Sequence, residues 1–568
     1  MVVKQLIPTL TRGSFARAGS SLLFNTGDWR LIRPEHRPST APCAVACPAG
    51  ENPQRYLAKV AEGDLRSAWE KLVGVNPLPA ITGRVCHHPC ESACNRGLYD
   101  QAIAIHSVER FLGDRAIAEG WNYPAQSPPS DAPEIAIVGA GPAGLSAAYH
   151  LIRRGFKATV FEAEPEPGGL LRSALPPYRL PRAVLNDELD RLLATGIALR
   201  LNHRVGRDLS LEELRADFRA VFLAPGAGRG RRWSVDGVAP ADPRTGLDLL
   251  KEWISIGAIP AYERVAIIGG GNTAIDLARV LKFSGVGEVH LITFQALPGA
   301  GVSREDAMSA APREIRQAIE EGVTIHDRRG VQRLIMRGDA VVGVELVHMR
   351  ELETSKGRRE LVSFEGTETV LKVDQVMPAI GQEVDPAGFD SLLGGHSFFE
   401  ADALGQILGH AGVFVGGDAR AGGNSVSGAI GDGRRAATAI WSRIEGLDRP
   451  PDGQRRPIGL NELNLNYFDH AARAEVSIVA AEDRSAQAEI EGALCRDGLD
   501  TEARRCFSCG ECMACDNCWT LCPDNSVLKV ESAGQRGWHY VFDYDHCKGC
   551  GICAHECPVG FIAMVDEP

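Results

Sequence analysis

Cysteine is missing from the whole middle of this 568-residue chain. Its 16 cysteines lie at or before Cys94 and at or after Cys495. Their CxxC and CP spacings point to metal or Fe–S ligation in a reducing, cytoplasmic setting rather than to disulfides. Long apolar runs are lacking as well. None reaches the roughly 18 residues that a membrane span needs, so no membrane partner is expected. Basic excess is absent: the formal charge is -12, which argues against a nucleic-acid surface. Met1–Gly27 carries Lys4, Arg12 and Arg17 without an acid, faintly like a transit peptide, but has no apolar secretory core. At about 100–200 residues per domain, the length implies several domains.

The stretch Glu134–Glu162 organises what is present. A β-branched run (Ile135, Ile137, Val138) enters Gly139-Ala140-Gly141-Pro142-Ala143-Gly144; an alanine-rich helical pattern, a second strand (Ala158–Phe161) and Glu162 follow. That order is the one a dinucleotide fold requires. Gly139 permits the tight turn, Gly141 lets the backbone approach a pyrophosphate, and Gly144 lets helix and strand pack closely. Glu162 is placed to accept hydrogen bonds from a ribose. Gly168-Gly169 and Arg172 follow on the same side. A second unit begins at Arg264, where Gly269-Gly270-Gly271-Asn272-Thr273-Ala274 again joins a strand to a helix. Two such units are far more specific than one. The segments ending in Gly381-Gln382 and Gly417-Asp418 read as strand-turns, and the second leads into a helix through Ala429.

The cysteines form an N-terminal group (Cys43, Cys47, Cys86, Cys90, Cys94) and a C-terminal one. Five thiols are one too many for one cubane and too few for two, and His87 and His88 leave a zinc site open. At the other end, Cys512, Cys515, Cys518 and Cys522-Pro523 repeat as Cys547, Cys550, Cys553 and Cys557-Pro558. This is the two-cluster bacterial ferredoxin pattern, in which the fourth cysteine of each run serves the other cluster. One set is then Cys512, Cys515, Cys518 and Cys557; the other is Cys547, Cys550, Cys553 and Cys522. Cys506 and Cys509 are extra, as spectators, a metal clip or an alternative register. Cys495 reads as a small core residue.

From about Cys43 to Trp441 the chain resembles the glutamate synthase small (β) subunit and its relatives. The resemblance implies FAD in the first site, bound by Gly139, Gly141, Gly144, Glu162, Gly169, Arg172, Gly381, Gly417, Asp418 and Ala429. It implies a nicotinamide nucleotide in the second, with Gly269, Gly271, Asn272, Thr273, Ala274 and Gln295. Relatives that use NADPH end the following strand in Tyr-Arg-Arg; here Thr293-Phe294-Gln295 stands there, so NAD(H) is expected over NADP(H). The family also has a CxxC before Cys43 that this chain lacks, so the cluster using Cys43 and Cys94 should be missing. The other N-terminal [4Fe–4S] cluster keeps Cys47, Cys86 and Cys90, with Glu109 in the place of the fourth ligand. That makes three clusters in all.

The expected fold is α/β, with two Rossmann-like domains, the second inserted in the first, a helical Fe–S domain before them and an α+β ferredoxin-like domain after them. The expected bounds are a docking arm at 1–40, the helical domain at 41–130, the FAD domain at 131–250 and 375–450, the NAD domain at 251–374, a linker at 451–500 and the ferredoxin domain at 501–568. Hydride would pass between NAD(H) and FAD, and single electrons between FAD and clusters, with no side chain needed as acid or base. With no cysteine in either nucleotide region, clusters are the only other redox groups on offer. Thr26–Pro34 (TGDWRLIRP) resembles the opening segment of the small subunits of 2-oxoacid:ferredoxin oxidoreductases. The expected partners are therefore thiamine-diphosphate-dependent 2-oxoacid oxidoreductase subunits, or a free ferredoxin. A glutamate synthase small subunit feeding an amidotransferase chain is the alternative enzyme; a non-catalytic electron-wiring scaffold is the alternative of another class.

Overall fold

The computed structural model describes residues 10–12, 25–125, 127–235, 238, 242, 244–353, 359–422, 425–447, 456–531 and 538–568. Most of the transit-like Met1–Gly27 and of the Pro-rich junction Arg449–Pro457 lies outside them. Two all-parallel sheets form the centre. The first runs Val413–Val415, Ala220–Leu223, Glu134–Val138, Lys157–Phe161, Ala198–Arg200 in spatial order. The second runs Val323–His326, Glu288–Ile292, Arg264–Ile268, Gln375–Pro378. Both faces of each are covered, which is why the strands read as continuous apolar runs. The chain leaves the first sheet after Leu223 and returns at Val413, so the second unit is an insertion. Its limits differ from the expected 251–374: helix Gly246–Ile256 packs on helix Asn272–Phe283, and Gln375–Pro378 pairs with Arg264–Ile268. An antiparallel meander, Arg329–Arg337, Ala340–Glu353 and Arg359–Leu371, extends from the second sheet.

Ahead of the sheets, short helices surround buried Trp69, Tyr56, Leu72 and Ile81. Helices Pro79–Val85 and Ile105–Ala118 cross through reciprocal glycines. A Cβ at Gly83 would overlap the backbone of Arg110, and one at Gly113 would overlap that of Ala80. The first helix leads straight into Cys86, and the second carries Glu109. The crossing thus sets the spacing of two candidate ligands.

The C-terminal module is closed by the N-terminal arm. Leu10–Arg12 joins the hairpin of Val527–Glu531 and Trp538–Phe542, and Ile32–His36 pairs antiparallel with Ile562–Asp566. Arg30 grips Glu567 through Nε and Nη2, each at 2.7 Å, and Thr26 donates to the carbonyl of His546. This corrects the reading of 1–40 as a free docking arm: its described part completes the sheets of the module, because a paired strand and a bidentate ion pair hold it there. Trp29 nevertheless stays 71% exposed. The expected linker 451–500 is also corrected. Glu489 pairs with Arg84 at 2.8 Å and Arg110 at 2.9 Å, Glu491 with Arg313 at 3.0 Å, and Arg484 with Glu320 at 2.7 Å and Glu321 at 3.0 Å. The segment is a strap, fastened by its Glu489 and Glu491 on Arg84, Arg110 and Arg313 and by its Arg484 on Glu320 and Glu321, across the helical and second nucleotide units.

Gly113→Ala tests the crossing. The added methyl has backbone, not a flexible side chain, in its way, so overpacking should cost about 1–3 kcal/mol. It should lower the melting temperature of the protein; an unchanged melting temperature would show that the two helices separate freely.

Candidate functional site

The first glycine turn sits where the strand Glu134–Val138 meets helix Pro142–Ile152. Gly139 has φ +100, and a Cβ there would meet the carbonyl of Ala224. One at Gly144 would meet the carbonyl of Gly139. At Gly141 nothing lies within 4 Å. The helix has no side-chain cap, so its first amides and positive dipole end face that open space, as an anion requires. Gly169 lies beside the turn, its would-be Cβ 3.1 Å from Gly141 Cα. Gly417 closes the other side, 3.0 Å from Ala143 Cβ and 3.7 Å from Ala429 Cβ by the same measure. Among the described residues, Asp418 Oδ1 is buried without a partner. Burial, then the nearby charge of Asp432, raises its pKa to about 6. A buried acceptor beside an open glycine cradle fits FAD.

Other residues assigned to that nucleotide are engaged elsewhere. Glu162 accepts from the amides of Ala140 at 2.7 Å and Glu164 at 2.9 Å, so it holds the turn. The Arg172 guanidinium is taken by the Pro167 carbonyl, Asn186 and Glu166. Gly381 belongs by position to the second turn: Gln382 donates to Thr273 at 3.3 Å.

That second turn repeats the first. Gly269 has φ +135, and a Cβ would strike the carbonyl of Ala379; Gly271 starts an uncapped helix and has only Ser309 Oγ near, at 3.6 Å. Asn272 accepts from the Ala311 amide at 3.1 Å. Ala274 is fully buried beneath the helix. Gln295 donates to the Ala307 carbonyl at 3.2 Å, and the amide of Arg328 donates to the carbonyl of Gln295 at 3.1 Å.

Cys47, Cys86, Cys90 and Glu109 converge. Burial raises all three thiols; neighbouring acids and thiols raise Cys47 and Cys90 further, while hydrogen bonds with Ser427 and the His88 amide draw Cys86 part of the way back. Glu109 is held far above the usual carboxylate range by burial and by Glu51. It accepts from Thr82 Oγ1 at 3.2 Å and from Tyr56 at 3.5 Å, while Glu51 accepts from Asn76 at 2.7 Å. Three thiols and a carboxyl around one point fit an iron–sulfur cluster. The site abuts the first nucleotide: Cys86 Sγ donates to Ser427 Oγ at 3.5 Å, and Arg435 donates to the Pro48 carbonyl at 3.2 Å. Ser427 lies in the first turn of helix Val426–Ile444, which presents Ala429 to the nest. The His88 ring stacks on that of His106 at 4.1 Å, while its backbone amide donates to Cys86 Sγ at 3.4 Å.

In the C-terminal module Cys522, Cys547, Cys550 and Cys553 line one cavity. Cys512, Cys515 and Cys557 are the thiols that, after burial, raise Cys518 most. The fourth cysteine of each run thus stands with the other run. Two expectations are corrected here. Cys43 and Cys94 are not left without partners: Cys506 and Cys509 line the same cavity with them. Helix Arg496–Arg505 leads directly into Cys506. Cys495 is exposed rather than core, capping that helix by accepting from the Gly498 amide at 3.4 Å. Glu51 was missed altogether. It sits in a Gly-Glu-Asn-Pro loop with no periodicity to mark it, and only burial against Glu109 distinguishes it.

A family profile described as pyridine nucleotide-disulphide oxidoreductase matches residues 133–433. One described as dihydropyrimidine dehydrogenase domain II, 4Fe-4S cluster, matches 37–121, and a 4Fe-4S binding domain matches 540–563. The chain is 33% identical to the NADP(+)-dependent formate dehydrogenase subunit beta of Moorella thermoacetica, over 83% of this chain and 70% of that protein. It is 32% identical to the NADPH-Fe(3+) oxidoreductase subunit beta of Geobacter sulfurreducens, over 83% and 75%. It is also 32% identical to the glutamate synthase [NADPH] small chain of Escherichia coli, over 71% and 88%.

The raised carboxyl of Asp418 gives a signed test. In the flavin-free protein its folded pKa of about 6 exceeds the unfolded value of 3.8. The charged form therefore opposes folding above about pH 6, and this cost fades as pH falls toward the unfolded value. Asp418→Asn should stabilise the flavin-free protein more at pH 8 than at pH 5 while weakening FAD retention. Equal gains in melting temperature at the two pH values would contradict the burial account.

Proposed function

The chain belongs to the pyridine nucleotide-disulphide oxidoreductase family and is an FAD- and iron–sulfur-dependent oxidoreductase; on that premise we propose that it couples a thiamine-diphosphate-dependent 2-oxoacid oxidoreductase to the reduction of NAD. FAD, when bound, exchanges the two electrons of a hydride for two single-electron transfers. The protein's own part is positioning. Gly141 and the uncapped amides of helix Pro142–Ile152 hold a pyrophosphate, and Gly271 with helix Asn272–Phe283 holds the second nucleotide. Ser427 bridges the first nest to the Cys47, Cys86, Cys90 and Glu109 set. That contact, Cys86 Sγ to Ser427 Oγ at 3.5 Å, is the observation that carries the reading, since it joins the proposed cluster ligands to the helix beside the proposed flavin cradle. No thiol pair competes for the flavin's electrons, because the chain has no cysteine from 95 to 494.

The partner is argued from the two ends of the chain. Thr26–Pro34 resembles a segment of 2-oxoacid:ferredoxin oxidoreductase small subunits, and it is folded onto a ferredoxin-type module as part of that module. A unit of this kind supports the role of an electron port, into which low-potential electrons from a 2-oxoacid and CoA would enter. The ligand sets proposed for it are Cys512, Cys515, Cys518, Cys557 and Cys547, Cys550, Cys553, Cys522. Cys550→Ser, at an exposed position of the module, should abolish 2-oxoacid-dependent NAD reduction by the reconstituted complex and leave NADH:dye activity nearly intact. Coupling that survives the substitution would remove this route.

For the nucleotide we propose NAD(H), because Gln295 stands just past strand Glu288–Ile292, where an arginine would pair with a 2′-phosphate. The three relatives are all named for NADP(H), and Arg328 adjoins Gln295 through its backbone. The dye assay decides: KM for NADH should lie below that for NADPH. The reverse order would assign the 2′-phosphate to Arg328 or a neighbour.

A further inference from the structure

Cys43, Cys94, Cys506 and Cys509 come from segments more than four hundred residues apart, yet they line one cavity among Pro42, Leu57, Ile103 and Phe507. Pinning is deliberate on both sides. Arg96 donates to the Arg505 carbonyl at 2.7 Å, and Asn95 donates to Cys509 Sγ at 3.6 Å and to the Ile458 carbonyl at 3.0 Å. The backbone repeats that of the ferredoxin turns. In Cys506-Phe507-Ser508-Cys509 the residue before the second cysteine is left-handed, Ser508 at φ 51. In the turns from Cys512 and Cys547 the same place is held by Ala514 at φ 54 and Gly549 at φ 73. Each of these amides turns back on the first sulfur of its turn. Non-glycine residues rarely adopt this conformation, and Ser508 and Ala514 do so at matching positions.

We propose that these four cysteines hold a fourth [4Fe–4S] cluster, which joins the C-terminal module to the helical domain. A single zinc ion does not suit the spacing. Four thiolates on zinc at about 2.3 Å stand only ~3.8 Å apart. Among the described residues, the only three candidate ligands that meet within 4.8 Å of one another are His88, Glu91 and His106. The position is that of a relay, and its role rests on the cluster assignments proposed above. Cys43 lies in helix Pro42–Ala46 and Cys47 follows it, while Cys90 lies in helix Pro89–Ser92 and Cys94 comes after it, each pair four residues apart, or about 6 Å of helical rise. Cys509 and Cys512 are separated by at most about 11 Å of chain. Each passage moves one electron: the site is reduced from the Cys512 side and reoxidised toward the Cys47 side. Two passages carry the two electrons of one hydride, with no bond made or broken.

The test is metal and spin counting on the full chain, reconstituted anaerobically with iron and sulfide. Wild type should bind about 16 Fe, and Cys506→Ser/Cys509→Ser about 12, on four irons per cluster. Integrated spin after full reduction should fall from about four to about three, with FAD content unchanged as the check on folding. Cys43→Ser removes a ligand from the N-terminal side of the cavity and should give the same loss of about 4 Fe. Cys495→Ser, outside the cavity, should lose none. A drop of four from a lower total would preserve this site and overturn one of the other three instead. Equal iron in wild type and both variants, or the loss of one zinc in place of iron, would overturn the proposal.

Discussion

Two buried guanidiniums decide where the end of this chain goes. Arg96 and Arg505, 2% and 3% exposed at their side chains, share Asp100, and Arg505 also holds fully buried Glu502. Glu502 in turn accepts from the amides of Ala104 at 2.7 Å and Ala474 at 2.8 Å. Every charge in the group has a partner, the condition under which buried ions are tolerated; removal of one member typically costs about 3–5 kcal/mol. The network fastens helix Arg496–Arg505 onto helix Pro53–Ala61 and its neighbours. Without it, Cys506 and Cys509 would be held near Cys43 and Cys94 chiefly by Asn95 on Cys509 at 3.6 Å and by Glu511 on Arg55 and Asn52, each at 3.0 Å.

The two nucleotide units are joined by a comparable device. Arg179, from the first, meets Asp276 at 2.8 Å, and Arg279 meets Glu314 and Glu321 at 2.6 and 2.7 Å; Arg484 of the strap shares Glu321. Tyr178 lies over Arg279, 4.4 Å from ring centre to guanidinium carbon. Apolar contacts alone would let the inserted unit slide. Fixed hydrogen-bond directions give it one orientation, and a hydride donor and acceptor must share one orientation to react.

Local patterns were legible in the sequence; long-range meetings were not. Gly139, Gly141, Gly144, Gly269 and Gly271 could be read because strand, turn and helix are neighbours in the chain, and each glycine answers to a backbone constraint a few residues away. The crossed ferredoxin pairing was readable because the repeat of Cys-Pro endings fixes which run serves which site. Gly381, expected at the first nucleotide, sits beside the second turn, since its segment reads the same wherever it docks. Arg172 and Glu162 were given ligand roles from spacing, whereas carbonyls and amides near them claim their polar atoms. Cys506 and Cys509 stayed uninterpretable because their partners lie at the opposite terminus, and no periodicity links positions so far apart.

The pairing of Ile32–His36 with Ile562–Asp566 also sets a waiting time. Roughly 500 residues separate the two strands, about 25–100 s of synthesis at 5–20 residues per second. Throughout that interval the first strand is a bare edge, able to pair with any other exposed strand on the same or a neighbouring nascent chain. Its composition answers the hazard. Pro34 cannot donate to a ladder, and Arg33 and Glu35 put opposite charges beside it, 2.7 Å apart. The strand is therefore a poor match for strangers and waits for the one edge whose Glu567 can take up Arg30.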